Sequence, residues 1–329
     1  MLIPATAATA AAPKVTVDYV ALGDSYAAGV GAGTESTECR VTPGAFPRLW
    51  AKSEKVDLTL AACSAATSAD VARTQLGALD AKTDLVSVTV GANDVGLTDA
   101  LRVCAPAPQS AQCAAALARI PQALATTVPT GVAELLTQVR AKAPKAKLVV
   151  TGYPLPFADV ASCPSMPLPL ALRTTGNQAI AALNQILAAQ AAAVKASFVD
   201  VAKIFAPHAQ CTAQPWLVGV EGLADETALH PTLAGQTEGY LAAFTQQAGS
   251  VEDIIEWIGE RDGAASPSPS PSVSPSSTTP PPVADGSGGS LPLTGPGVGT
   301  IVVAGLLLVV VGTLGYLVWR PRRIRTVSE

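Results

Sequence analysis

Three residues of this chain have the side-chain types and the settings of a nucleophilic hydrolase site. Ser25 ends the stretch Gly23-Asp24-Ser25 directly after the apolar, β-branched run Val15–Leu22, so a buried strand would present its hydroxyl at a sheet edge. Asn93 follows another such run, and His230 is one of only two histidines. A serine hydroxyl becomes a nucleophile when an adjacent base takes its proton, and an amide N–H stabilises the oxyanion that forms. The alternative for Ser25 is an ordinary turn between a strand and a helix.

Strand-like and helical segments alternate between about Val15 and Gly249. The predicted strands are Val15–Leu22, Leu58–Ala62, Leu85–Val90, Leu148–Thr151 and Phe198–Val201. The predicted helices are Ser68–Leu76, Ala111–Thr127, Gly131–Lys142, Leu168–Lys195 and Thr232–Ala248. Strands separated by helices predict an α/β fold, in which a parallel sheet has helices on both faces.

Polar residues follow the first three predicted strands. Ser25 follows the first strand, Ser64 and its neighbours follow the second, and Asn93 follows the third. The carboxyl ends of parallel strands form the ligand crevice of such folds, so these residues should converge there. His230 precedes Pro231 in a loop before the last predicted helix and is the candidate base.

Three further polar residues have structural interpretations. His208 lies in a loop close to a cysteine, and we expect it to have no part in the chemistry. Asp24 and Asp94 are the direct neighbours of the candidate nucleophile and the candidate amide. Because short acidic side chains readily hydrogen-bond to the backbone of their own turn, we expect both to shape these turns.

Composition excludes one class of partner. The chain has 329 residues, of which 49% are hydrophobic and 14% charged, and its net charge is −4. Its only basic cluster is the four arginines of residues 320–325; without them and Glu329, 17 basic and 24 acidic side chains remain. Phosphate binding needs clustered Lys and Arg, so no nucleic-acid partner is expected. No pattern predicts a cofactor, and we expect a monomer.

The six cysteines are even in number and include no Cys-x-x-Cys pair, so metal-ligand spacing is absent. In an exported protein they predict three disulfides. Of the possible pairings the sequential one is the simplest, namely Cys39–Cys63, Cys104–Cys113 and Cys163–Cys211. The alternative is buried free thiols in a cytoplasmic protein, which the two ends of the chain disfavour.

Both ends of the chain indicate export. Residues 1–13 are rich in small residues with an Ala-x-Ala pattern, which is typical of the last part of a secretory signal; the alternative is a disordered leader. Residues 264–290 are rich in Ser, Pro, Thr and Gly, which predicts a disordered, extended stalk. Residues 298–319 contain no charge and could cross a bilayer as one transmembrane helix. The basic tail at 320–329 would stay cytoplasmic, so the bulk of the chain would lie outside the cell.

Residues 250–263 lie between the predicted domain and the stalk. Val251, Ile254, Ile255 and Ile258 form an apolar stripe at helical spacing. We expect an amphipathic helix that docks on the domain rather than one that contacts lipid or a partner.

The motif set resembles the SGNH/GDSL hydrolase family, and in particular its secreted actinobacterial lipase/esterase branch. The residues that match are Gly23-Asp24-Ser25-Tyr26, Ala62-Cys63-Ser64, Gly91-Ala92-Asn93-Asp94-Val95-Gly96 and His230-Pro231. The resemblance covers a domain of roughly residues 14–249. It implies a three-layer α/β/α, flavodoxin-like fold with a five-stranded parallel sheet, and also the sequential disulfide pairing of that branch.

The resemblance implies a role for each site residue. Ser25 would be the nucleophile, and His230 would take its proton and later give it to the leaving alcohol. The backbone N–H of Ser25 and the side-chain amide of Asn93 would hold the oxyanion, together with the backbone N–H of Ala65. The family usually has glycine where this chain has Ala65, so an extra methyl group would lie beside the oxyanion hole.

The chain departs from the family pattern next to its histidine. The family commonly places an aspartate three residues before the histidine, where this chain has Thr227. Some members of the branch orient the histidine with a main-chain carbonyl instead, so the Thr227 carbonyl is one candidate partner and Asp225 is the second. Either would fix the tautomer and orientation of His230.

The end of the chain resembles the cell-wall sorting signal of Gram-positive surface proteins. Such signals have a Leu-Pro-x-Thr-Gly motif, an apolar span and a basic tail, which match residues 291–295, 298–319 and 320–329. The resemblance implies that a sortase cuts between Thr294 and Gly295 and links the threonine to peptidoglycan. The alternative is a single-pass membrane anchor in the same orientation.

The sequence thus predicts a serine lipase or esterase, displayed on the cell surface, for small-molecule or lipid esters. One alternative uses the same chemistry, as a carbohydrate O-acetylesterase acting on wall or host glycans. The other is a non-catalytic binding protein on a degenerate hydrolase fold, which Ala65 and the missing aspartate suggest.

Overall fold

The computed structural model describes residues 16–36, 38–164, 168–219 and 226–263. The predicted leader, stalk, sorting motif, apolar span and basic tail lie outside the described residues, and so does Asp225. No helix within the described ranges is long and apolar enough to cross a membrane.

Five parallel strands form the central sheet. They are β1 Asp18–Gly23, β2 Asp57–Leu60, β3 Leu85–Thr89, β4 Lys147–Thr151 and β5 Ser197–Val199. Their order in the sheet is β2-β1-β3-β4-β5, and each neighbouring pair is parallel. The predicted five-stranded parallel sheet is therefore confirmed. The strand order reverses between β1 and β3, and such a reversal opens a crevice at the carboxyl ends of the two strands.

Helices cover both faces of this sheet. They are α1 Ser25–Ala28, α2 Phe46–Glu54, α3 Ser68–Thr74, α4 Ala92–Val95, α5 Leu97–Cys104, α6 Ala111–Gln122, α7 Val128–Lys142, α8 Leu170–Ala193, α9 Ala202–Phe205, α10 Ala242–Ala248 and α11 Val251–Arg261. Residues 123–127 form a π-helical turn that joins α6 to α7, and residues 235–241 form another before α10. The predicted helices at 111–127 and 131–142 therefore form one continuous helical run.

Alternate residues of the strands pack into two separate cores, because side chains of a strand point to opposite faces in turn. Val20 and Leu22 of β1 belong to the core formed with α3, α5, α7 and α8. Tyr19 and Ala21 belong to the core formed with α2, α10 and α11. This two-core arrangement gives the predicted helix–sheet–helix layers.

Helix α11 packs on the second of these cores. Ile254 is fully buried there. Its partly buried neighbours on the same core are Val251, Ile255 and Ile258. Arg261, at the end of the helix, forms an ion pair with Asp84 at 3.3 Å. The apolar stripe of residues 250–263 thus faces the domain.

The cysteines form three disulfides in sequential order: Cys39–Cys63, Cys104–Cys113 and Cys163–Cys211. The predicted pairing is confirmed. The first bridge ties the segment that follows β2 to the loop that precedes α2, and it thereby fixes the residues next to Ser64 and Ala65.

Candidate active site

Ser25 is the first residue of α1, two positions beyond the end of β1. The Asp24 side chain caps this short helix by accepting a hydrogen bond from the Tyr26 N–H at 2.9 Å. Gly23 has a φ of 140°, and a Cβ there would lie 2.3 Å from the Thr89 carbonyl oxygen of β3. Only glycine fits such a close approach, so the turn that presents Ser25 depends on Gly23.

Ser25 and His230 are in contact at the carboxyl end of the sheet. The Ser25 Oγ lies 2.6 Å from His230 Nε2, across 205 residues of sequence. In a neutral imidazole with its proton on Nδ1, Nε2 is an acceptor, so the hydroxyl donates to it. A nucleophile within hydrogen-bond reach of a base is the arrangement that covalent catalysis uses.

Burial lowers the pKa of His230 to about 4, because desolvation disfavours the imidazolium. The positive charges of Arg40 and Arg102 act in the same direction, whereas the backbones of Thr227 and Ala228 act in the opposite one. The imidazole is therefore neutral at neutral pH, the state in which it can accept the serine proton.

The second ring nitrogen of His230 is Nδ1, and the backbones of Thr227 and Ala228, in the preceding loop, act on this ring. The Thr227 carbonyl accepts the His230 backbone N–H at 3.0 Å. His230 Nδ1 is buried and makes no hydrogen bond of standard geometry with any described residue. Asp225 lies outside the described residues. The roles predicted for Thr227 and Asp225 therefore stay predictions.

Ser25, Ala65 and Asn93, the residues predicted to supply the oxyanion donors, all line one cavity. This cavity has a volume of about 170 Å³. Within the described part of the chain, neither the backbone N–H of Ser25 nor that of Ala65 donates a hydrogen bond. Asn93 Nδ2 donates one of its two hydrogens to the Ala66 carbonyl at 3.0 Å. Its second hydrogen can therefore donate to a bound ligand. The three predicted donors are thus brought together with Ser25 and can bind an oxyanion.

Ala65 has a left-handed backbone, with φ at 63°. Glycine adopts this conformation freely, whereas a residue with a Cβ is strained by about 1–2 kcal/mol. The alanine therefore has the backbone conformation that a glycine would adopt there, and Ala65 itself lines the cavity.

Asp24 caps its own turn, as the sequence predicts, whereas Asp94 bonds chiefly to a residue of a distant helix. Asp94 accepts hydrogen bonds from the Ser68 N–H at 3.0 Å and from the Ser68 hydroxyl at 2.5 Å, which ties the Asn93 turn to the start of α3. Asp24 is fully buried, and desolvation raises its pKa to about 7.

His208 lies away from the cavity. Its ring stacks on Trp216, with 3.6 Å between the centroids, and its Nδ1 donates to the Gln214 carbonyl at 2.9 Å. These contacts give His208 the structural role that the sequence predicts.

Two buried side chains that the sequence does not single out support the site. Gln75 donates to the Gly23 carbonyl and accepts from the Gly23 N–H, both at 2.8 Å. The Tyr153 hydroxyl donates to Asp24 at 2.5 Å. No local pattern marks either residue, because the partner is 52 residues away in one case and 129 in the other.

The cavity has an apolar wall and a polar rim. The apolar wall consists of Leu97, Pro154, Pro156, Ile180, Ala228 and Leu229. The rim includes Arg40, Thr98, Arg102 and Glu226. Arg40 forms ion pairs with Glu35 at 2.5 Å and with Glu226 at 2.7 Å. Among the described residues, no three His, Cys, Asp or Glu side chains are grouped so that they could hold a metal ion.

Comparison with protein families matches residues 21–237 to the GDSL-like Lipase/Acylhydrolase family. Lipase 1 of Streptomyces coelicolor is 38% identical over 251 residues, which cover 75% of this chain and 92% of that protein. A lipase of Streptomyces rimosus is also 38% identical over 251 residues, covering 73% of this chain and 92% of that protein.

Two solved structures share the fold. The extracellular lipase from Streptomyces rimosus superposes with a TM-score of 0.66 and 36% identity, over 70% of this chain and 99% of that one. Phospholipase A1 from Streptomyces albidoflavus superposes with a TM-score of 0.67 and 37% identity, over 71% of this chain and all of that one.

Proposed function

The chain belongs to the GDSL-like Lipase/Acylhydrolase family and is an ester hydrolase, and from this we propose that it cleaves carboxylic esters through an acyl-enzyme on Ser25 with His230 as the base. The observation that supports the mechanism most directly is the 2.6 Å hydrogen bond between Ser25 Oγ and His230 Nε2. An intact nucleophile–base contact also disfavours the alternative of a degenerate, non-catalytic fold.

The reaction proceeds in two halves. His230 Nε2 takes the proton as Ser25 Oγ attacks the ester carbonyl carbon, and the resulting oxyanion is held by the N–H groups of Ser25, Ala65 and Asn93. When the tetrahedral intermediate collapses, the imidazolium gives its proton to the leaving alcohol. Water then attacks the acyl-enzyme with His230 again as the base, and the carboxylic acid leaves as Ser25 recovers its proton.

The lining of the cavity supports a proposal for how the two parts of an ester bind. The apolar wall around Leu97 and Ile180 suits the acyl chain of a small-molecule or lipid ester. The rim beside Arg40 and Glu226 offers charged and hydrogen-bonding groups to the alcohol part. The same rim supports the second candidate, a carbohydrate O-acetylesterase, because sugar hydroxyls need such partners. Release of fatty acid from acylglycerols, measured against release of acetate from wall polysaccharide, separates the two.

We also propose that the enzyme is a monomer that acts outside the cell and is anchored to the wall or, through its carboxyl-terminal span, to the membrane. The support is the order of the motif at 291–295, the uncharged span at 298–319 and the basic tail. A sortase and peptidoglycan are the partners of this proposal. The three disulfides agree with an oxidising compartment.

Hydrolysis of p-nitrophenyl acyl esters tests the catalytic mechanism. Ser25→Ala and His230→Ala should each lower kcat by about ten-thousand-fold or more. His208→Ala is the matched control, and it should leave kcat unchanged because His208 lies away from the cavity. A fluorophosphonate probe should label the wild-type protein but not Ser25→Ala. Turnover that survives Ser25→Ala would refute the mechanism.

A further inference from the structure

The loop that contains His230 has a strained backbone one residue before the histidine. Leu229 has a φ of 65°, in the left-handed region that a leucine seldom adopts. This conformation is strained and persists only where the surrounding contacts hold it. The contacts of Leu229 therefore help to decide where the His230 imidazole lies.

Tyr26 provides the side-chain contact to this strained residue. Its hydroxyl donates to the Leu229 carbonyl at 2.8 Å, and its ring centroid lies 5.2 Å from that of the His230 imidazole. The Leu229 N–H donates to the Val218 carbonyl at 3.0 Å, so both backbone groups of Leu229 are paired. Burial raises the pKa of the Tyr26 phenol, which therefore remains a donor throughout the physiological pH range.

Tyr26 is in turn fixed to the turn of the nucleophile. It follows Ser25 directly in the sequence, and its N–H donates to Asp24. Its carbonyl accepts from Gln236 Nε2 at 3.0 Å, and its ring meets Tyr153 edge-on with 5.0 Å between the centroids. Tyr26 thus connects the Ser25 turn to the His230 loop, because its backbone is bonded at the turn and its hydroxyl is bonded at the loop.

We propose that Tyr26 is a positioning residue for His230: its hydroxyl holds the Leu229 carbonyl so that the imidazole stays aligned with the Ser25 hydroxyl. In serine hydrolases of the Ser-His-Asp type, a carboxylate on the second ring nitrogen fixes the imidazole. The contribution of Tyr26 is separate from any group on that nitrogen, because its neutral phenol acts on the peptide that precedes the ring. The inference rests on the proposed roles of Ser25 and His230.

Tyr26→Phe in the full chain tests this proposal, because it keeps the ring and removes only the hydroxyl. We expect kcat on p-nitrophenyl butyrate to fall by about tenfold or more while KM changes less than about twofold, since proton transfer to His230 loses its alignment. The chain has only two histidines, so NMR can follow the His230 imidazole after His208→Gln identifies the other ring. The pKa of His230 should rise from about 4 towards the ordinary value of 6.5 as the ring leaves its buried position.

Tyr19→Phe is the matched control. Tyr19 is fully buried in the second core, and its hydroxyl hydrogen-bonds to the Ser87 hydroxyl at 2.8 Å, so the change removes a buried phenol hydrogen bond away from His230. Both variants should lower Tm, but only Tyr26→Phe should change kcat and the His230 titration. If Tyr26→Phe keeps the wild-type kcat and the wild-type His230 pKa, the positioning role is overturned. Ser25→Ala is assayed alongside, because activity in that variant would overturn the proposed mechanism instead.

Discussion

His230 can act as a base only while its imidazole is neutral, and burial decides the pH range in which this holds. Because burial lowers the pKa to about 4, the histidine binds its proton only in clearly acidic solution. As pH falls, kcat/KM should therefore decline with a midpoint near 4, well below the ordinary value of 6.5, and it should be flat from about pH 5.5 upwards with respect to this group. A pH–rate profile of the wild-type enzyme measures this midpoint.

The buried Asp24 provides the control for this profile. Its pKa is raised to about 7, so its ionisation could add an inflection near neutral pH. An inflection that disappears in Asp24→Asn belongs to Asp24, whereas one that remains belongs to another group. A midpoint of 6.5 that persists in Asp24→Asn would contradict the expected state of His230.

At position 65 this chain has alanine where the family usually has glycine, although the backbone there has the left-handed conformation that favours glycine. Since its φ of 63° strains an alanine, Ala65→Gly should raise the free energy of unfolding by up to about 1 kcal/mol, the relieved strain being partly offset by the entropy of glycine. The neighbouring Ala66 is buried and has no positive φ, so Ala66→Gly should instead destabilise the protein by about 0.5–1 kcal/mol or more. Urea unfolding measures both changes, and a loss of stability in Ala65→Gly equal to that in Ala66→Gly would show that position 65 is not strained.

At the scale of elements, strong local patterns were predictable, and so was the short helix α3, which has a capping box, whereas short helices without a side-chain cap were not. Each of the five predicted strands overlaps an observed strand, because β-branched apolar runs give a clear signal. The sequence interpretation missed α2 and α5, which have nine and eight residues. Helices of this length give few turns of periodicity, and packing against the sheet stabilises them more than local propensity does.

Helix α11 illustrates how packing decides the role of an element. Ile254→Ala should lower the free energy of unfolding by about 2–5 kcal/mol, because the side chain is fully buried in the second core. Glu256→Ala, on the exposed side of the same helix, should change it by less than about 0.5 kcal/mol. Chemical denaturation of both variants provides the comparison. If both variants change the free energy of unfolding by the same small amount, the apolar stripe of α11 does not dock on the domain and instead contacts lipid or a partner.

At the scale of the whole molecule, the proposed anchoring depends on segments outside the described residues. If a sortase processes the chain, the wild-type protein should be in the wall fraction of a Gram-positive host and should be released by muramidase. Thr294→Ala should move it to the membrane fraction, because the span at 298–319 would then be retained. Leu293→Ala is the matched control, since it changes only the variable position of the motif and should leave the protein in the wall. Equal distribution of both variants would contradict sortase processing.

The sequence by itself determined the features that depend on neighbouring residues. It predicted the strands, the turns that contain Ser25 and Asn93, and the even set of cysteines, because each has a local chemical or periodic signal. The resemblance to a known family then added the three-layer fold and the roles proposed for Ser25 and His230.

Only the tertiary structure decided which distant groups meet. The contact of Ser25 with His230 spans 205 residues, and that of the Tyr26 hydroxyl with the Leu229 carbonyl spans 203. The burial that lowers the pKa of His230 and the left-handed backbone of Ala65 likewise arise from the packed fold. The physical reason is that local propensities act over a few residues, whereas burial, strain and long-range hydrogen bonds exist only once the chain has packed around its sheet.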